Sequence, residues 1–180
     1  MTTFRRAEID WLYGGLARFF PEAFQRFRDH VPEAADDANL IEAYSKRMSH
    51  PEIGVRIAAA QAWCEWEDAA LSFEPNARES GYKELAATDA IAFVRICTHY
   101  LLHDAWLEDG ALIRDASRLT GIPGVLIHGR RDMTCPIDTA WALARAWPGA
   151  SLVDLADAGH LRSDSKRAAL LRALDDFVRS

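Results

Sequence analysis

Two residues, Asp132 and His160, have the types and spacing that acid–base chemistry needs. A carboxylate beside an imidazole fixes its tautomer and stabilises the imidazolium that forms when the base takes a proton. The residues are 28 positions apart (160 − 132), room for one helix and one strand. Each follows a short apolar run: Asp132 comes after GVLIHGR, and His160 closes Asp157-Ala158-Gly159-His160 after SLVDLAD. If both runs are parallel strands, the pair stands at their carboxyl ends, the edge where open α/β sheets build their sites. The other possibility is that Asp132 caps a turn and His160 lies on a solvated loop. Spacing alone leaves both open.

Other candidates carry less. His99 and His103 share a helical face and Asp104 follows, but the glutamate of an H-E-x-x-H motif is missing and no third ligand is evident. Cys135 precedes Pro136 at a helix start, where thiolates are stabilised, yet it reads more simply as a structural cysteine. The tryptophans read as core and pocket lining. No glycine-rich phosphate loop occurs, and neither a metal nor a cofactor is expected.

The elements that must position these residues differ between two halves meeting near residues 117–123. Residues 4–116 read as helical, with apolar residues at three- and four-residue spacing. Trp11, Leu12, Leu16, Phe19 and Phe20 make one stripe, interrupted by Pro21, and Phe24 and Phe27 begin the next. Ile41, Tyr44 and Met48 make another, ended by Ser49-His50-Pro51. Ser49 is expected to cap the following helix, with Glu52 completing a capping box. That helix carries Val55, Ile57, Ala58, Ala62, Trp63 and Trp66. Glu74 to Lys83 reads as a loop containing Pro75, Asn76, Ser80 and Gly81. A helix from about Thr88 to His103 holds Ile91, Phe93, Val94, Ile96 and Tyr100.

After residue 120 the pattern changes. The run 124–130 reads as a strand, Ile137 to Ala146 as a helix behind Pro136, and 151–157 as a second strand. Ser163 or Asp164 then caps a last helix running to Val178. This order predicts an α/β fold with a C-terminal βαβα unit and parallel strands. Two strands are too few for a self-sufficient parallel sheet, and the helical half offers no others. The expected organisation is a helical region over 1–117 and, over 118–180, the end of a larger α/β fold.

Composition narrows the function classes. Lys+Arg 21 against Asp+Glu 27 gives a net charge of −6, which argues against nucleic acid as a partner. No run approaches a membrane span, and MTTFRRAEIDW lacks the apolar core of a secretory signal. Cys64, Cys97 and Cys135 are odd in number and form no CxxC pair, so they read as reduced thiols in a cytoplasmic protein.

The stretch GIPGVLIHGRRDMTCPIDTAWALARAWPGASLVDLADAGH resembles the C-terminal section of proline iminopeptidases (prolyl aminopeptidases), serine peptidases of the α/β-hydrolase fold. RRAEIDWLYGG, FFPEAFQRF, AAAQAWCEWE and FVRICTHYLL resemble that family's helical cap, so the likeness covers almost the whole chain. The resemblance implies a partial α/β-hydrolase fold, with Asp132 and His160 as acid and base of a Ser-His-Asp triad. It also implies that Glu67 binds the free amino terminus of a peptide substrate. A carboxylate among Trp63, Trp66 and Phe73 suits that task, because a partly apolar pocket strengthens pairing with an ammonium. Without the resemblance, Glu67 reads as an exposed helix glutamate.

Three features depart from the family pattern. Cys97 stands where the family often has a second acidic residue, removing a negative charge near the amino terminus. Arg131 replaces an aromatic residue. No serine here lies in a G-x-S-x-G elbow and there is no HGG-type oxyanion loop. In the family both lie before the cap, so they would precede Met1. The expected function is a prolyl aminopeptidase-like hydrolase lacking its nucleophile-bearing half and inactive alone. The alternatives are a non-catalytic hydrolase remnant or helical binding module, and a related hydrolase of esters or amides. Unpaired strand edges make an oligomer or an aggregate an expected state of the isolated chain.

Overall fold

A computed structural model of the chain describes residues 3–34, 36–74 and 81–179. They divide into two compact units, Phe4–Asp109 and a second that joins Thr3 to the residues from Gly110 onward.

The first unit is helical: α1 (Arg6–Leu12), α2 (Pro21–Asp29), α3 (Leu40–Met48), α4 (Ile53–Leu71) and α5 (Ala87–Leu102). Pro21 occupies the first turn of α2, where its missing N–H costs nothing. The stripe from Trp11 to Phe20 is not one helix. α1 stops at Leu12, and a short 3₁₀ turn, Gly15–Arg18, follows. A Cβ on Gly14 would lie 2.9 Å from the Asp10 carbonyl oxygen, so this tight break needs a glycine. The core is aromatic. Phe27 stacks on Tyr44 with centroids 4.5 Å apart, Trp63 meets Tyr13 at 4.9 Å, and Trp66 meets Phe24 at 5.1 Å. Tyr44 also donates its hydroxyl hydrogen to the Phe27 carbonyl at 2.8 Å.

Several sequence expectations change here. Ser49 does not cap α4: its hydroxyl turns back to the Ser45 carbonyl at 3.4 Å, and Glu52 at the N-cap makes no side-chain capping bond. Of the residues expected to pack along α4, Ala62, Trp63 and Trp66 are buried, Val55 and Ile57 are half-buried, and Ala58 is exposed. On α5 Val94 is buried, whereas Ile96 and Tyr100 face solvent. Helical spacing gives an apolar stripe its direction but not its width, so residues at its margin are misassigned. Of the loop expected between Glu74 and Lys83, residues 75–80 lie outside the described residues, and Tyr82–Glu84 form a 3₁₀ turn.

The second unit runs α6 (Ala111–Arg114), β1 (Gly124–Gly129), α7 (Ile137–Ala146), β2 (Ala150–Leu155) and α8 (Asp164–Arg179). β1 and β2 pair in parallel, with Gly124 opposite Ala150 and Gly129 opposite Leu155. They are the two strands among the described residues, and the mixed, mostly helical architecture fits a partial α/β-hydrolase fold. Gly149, at φ +87°, takes the left-handed conformation that turns the chain from α7 into β2. The Ser163 hydroxyl accepts the Lys166 N–H at 3.3 Å and so caps α8. No described helix is long and apolar enough to cross a membrane.

Candidate active site

The register of the sheet brings Asp132 and His160 together. β1 ends at Gly129 and β2 at Leu155 on the same edge, so Asp132 follows its strand by three residues (132 − 129) and His160 by five (160 − 155). Beyond the strands the two segments stay joined: the Arg130 N–H donates to the Leu155 carbonyl and the Arg131 N–H to the Ala158 carbonyl, both at 2.9 Å. Gly129 lets the crossing happen, because a Cβ there would lie 2.5 Å from the Ala158 carbonyl oxygen.

His160 Nδ1 lies 3.2 Å from Asp132 Oδ1 and 3.1 Å from Oδ2. The carboxylate is buried and the imidazole is about one-third exposed. Asp132 also accepts the Thr134 hydroxyl at 2.9 Å and the Cys135 N–H at 2.8 Å. Burial pushes the Asp132 carboxyl up, but hydrogen bonds from His160, Cys135 and Thr134 outweigh it and hold the group below its ordinary value. The same bond from Asp132, with a second contribution from the Cys135 side chain, raises His160 against its burial to about 10.

Three residues that the sequence did not assign hold this pair. Buried His128 contacts the Cys135 carbonyl through Nε2 at 2.8 Å, which pins the turn after β1. Burial keeps His128 below the ordinary histidine value. Lys166 donates to the carbonyls of Gly159 and His160, the latter at 2.8 Å, and so fixes the turn after β2. Cys135 reads from the sequence as a structural cysteine or a helix-start thiol, and its side chain acts directly on His160. The sequence signal was its place three residues after Asp132, where a single turn returns it to the carboxylate.

Glu67 belongs to the helical unit and is half-buried, not exposed. It accepts the Tyr13 hydroxyl at 2.9 Å. The expected setting is corrected in part: Trp66 turns into the aromatic core, and Phe73 packs on Phe20 while remaining mostly exposed. The Glu67 charge reaches Cys97, Cys64 and Tyr82 instead. Cys97 is pushed up to about 12, first by burial and then by Glu67, so it is a neutral thiol at pH 7. Tyr82 rises to about 12 for the same two reasons. The His99 and His103 rings lie with centroids 5.2 Å apart and tilted by 51°, and both pack against Trp106.

Comparison with known proteins follows the same residues. The chain is 37% identical over 178 residues to the proline iminopeptidase of Xanthomonas citri, covering 97% of this chain and 56% of that protein. The proline iminopeptidase of Arabidopsis thaliana is also 37% identical over 178 residues, covering 98% of this chain and 47% of that protein. That of Neisseria gonorrhoeae is 34% identical, covering 97% and 55%. This chain resembles proline iminopeptidases along nearly its whole length. It spans about half the length of the curated relatives it matches. No family model matches it.

Proposed function

We propose that Asp132 and His160 are the acid and base of a Ser-His-Asp triad in prolyl aminopeptidase-type hydrolysis. The supporting observation is the buried carboxylate bonded to His160 Nδ1 at the carboxyl edge of two parallel strands. With Nδ1 turned to the carboxylate, Nε2 is the nitrogen that the proposal assigns to the nucleophile. A serine hydroxyl passes its proton to Nε2 as its oxygen attacks the acyl carbon of the N-terminal residue. His160 then returns the proton to the leaving amine, and water releases the acyl group by the same route.

The nucleophile is not among these 180 residues, since none of their serines sits in G-x-S-x-G. The proposal therefore assigns residues 1–117 to a cap and 118–180 to part of the hydrolase core of a cytoplasmic serine peptidase. The chain alone has no turnover.

Glu67 binds the substrate's free amino terminus, oriented by the Tyr13 hydroxyl. Neutral Cys97 favours a second reading. With one negative charge rather than two, the site discriminates less in favour of a cationic amino terminus, and neutral amides or esters become acceptable substrates.

The test is a chimera in which this chain replaces the matching region of the Xanthomonas citri relative, assayed for proline release from proline-2-naphthylamide. Turnover is expected, and it falls by at least about 10³-fold in His160→Ala or Asp132→Asn. A folded chimera whose turnover survives both changes would overturn the assignment. Glu67→Gln should raise KM, and Cys97→Glu should increase the preference for a free N-terminus.

A further inference from the structure

Asp132, Cys135 and His160 each offer one metal-ligating atom, and these atoms all lie within 4.8 Å of one another. Among the described residues no other three His, Cys, Asp or Glu side chains meet so closely. The group is held from outside. Asp132 Oδ1 fixes the Cys135 backbone at 2.8 Å, His128 pins the Cys135 carbonyl at 2.8 Å, and Lys166 holds the His160 carbonyl at 2.8 Å. The carboxylate is buried, while Cys135 and His160 are half-buried and open to an ion from solvent.

The donor set is one carboxylate oxygen, one thiolate sulfur and one imidazole nitrogen. Zinc accepts all three, with bonds of about 2.0–2.3 Å, and a tetrahedral ion keeps its ligand atoms roughly 3.3–3.8 Å apart. Nδ1 and Oδ2 already stand 3.1 Å apart, so the ion takes the place of the proton between them after a small outward movement. Calcium and magnesium, which demand more oxygen ligands, do not suit this set.

We propose that Asp132, Cys135 and His160 form a three-ligand zinc site whose fourth position is open to water. Asp132 enters as the carboxylate. Cys135 gives its thiol proton to solvent and His160 gives up its Nδ1 proton, so one zinc ion enters and two protons leave. The site depends on these three side chains and not on any hydrolytic reaction. Its consequence for the reaction proposed above is direct: zinc breaks the Asp132–His160 hydrogen bond, so a metal-loaded chain cannot use that pair for proton transfer.

Cobalt(II), a spectroscopic stand-in for zinc, tests the proposal on the full chain under reducing conditions. One equivalent should produce a sulfur-to-cobalt charge-transfer band and the strong visible bands of a tetrahedral ion, and one equivalent of zinc should remove both. Cys135→Ser should lose the charge-transfer band, and Cys97→Ala should keep it. His160→Gln, with its fold checked by circular dichroism, should weaken zinc binding by at least about tenfold, the scale that a lost outer-shell partner already costs. No charge-transfer band in the parent chain, a band that survives Cys135→Ser, or unchanged zinc affinity in His160→Gln would each overturn the site. These readouts need no turnover, so failure of the hydrolase reading would leave them intact.

Discussion

In the helical unit the largest apolar side chains point inward: Phe27, Tyr44, Trp63 and Trp66 are each at most 1% exposed. In the unit that begins at Gly110, Trp141, Leu170, Leu171 and Leu174 are each more than half exposed, and α8 buries only Ala169. The helical unit has exposed apolar residues too, such as Ile96 and Trp106, but they lie outside a finished aromatic core. Among the described residues the sheet unit has no comparable core, because a parallel sheet is normally covered on both faces and these residues supply two strands. What holds its site is polar: the bonds among Asp132, Thr134, Cys135, His160 and Lys166. The same chain therefore stabilises one region by packing and positions chemistry in the other by hydrogen bonds.

The largest effect is expected in the packed region. Phe27→Ala removes a ring that touches Tyr13, Phe24, Tyr44, Trp63 and Trp66. Loss of a buried phenylalanine costs about 3–5 kcal/mol. Urea denaturation followed by tryptophan fluorescence measures this, and a loss under 1 kcal/mol would mean that the aromatic core is not what holds the unit.

Next comes Gly129→Ala. Its Cβ would meet the backbone of Ala158, which cannot swing aside as a side chain can. Overpacking of this kind costs about 1–3 kcal/mol. Because the clash pushes the two strand ends apart, it should also separate Asp132 from His160 and lower the imidazole pKa seen by NMR titration. Unchanged titration would show that the polar bonds tolerate a shifted backbone.

Much of this was legible in the sequence, and the limits have physical causes. β1 and β2 stood out because their apolar runs are bounded by glycines and polar turns, and α7 because Pro136 opens it and Trp147-Pro148-Gly149 closes it. Asp132 and His160 followed, since strand ends fix where a sheet presents its loops. The turn of Ser49 towards the preceding helix was not legible, because one hydroxyl can serve the end of one helix or the start of the next. The place of Cys135 three residues after Asp132 was legible, but its approach to His160 was not. It depends on a side-chain turn around Asp132, across 25 positions of sequence (160 − 135).

A smaller effect should separate charge from packing at the site. His160 is raised on folding, so its contribution is fully present below about pH 6.5 and is lost as pH rises through about 10. Asp132 is lowered, so its contribution is present above about pH 3.8 and is lost on acidification below that. The site should be most stable between about pH 4 and 6.5 and weaken steadily above. Asp132→Asn should remove both slopes, return His160 towards 6.5 in an NMR titration, and cost about 1–3 kcal/mol through the unmatched buried partners. A slope that persists above pH 7 would have to come from another group.

The smallest effect reverses the sign of the glycine substitution. Gly54 lies in the first turn of α4, and an added Cβ there meets nothing within 4 Å. Gly54→Ala therefore costs the folded state nothing, while it restricts the unfolded chain, and it should stabilise the helical unit by about 0.4–1 kcal/mol. Gly129→Ala restricts the unfolded chain by the same amount, so the difference between the two variants isolates the native clash at the strand ends. If both variants prove stabilising, the crossing of the two segments beyond the sheet has room to spare, and the short bonds around Asp132 and His160 would not depend on it.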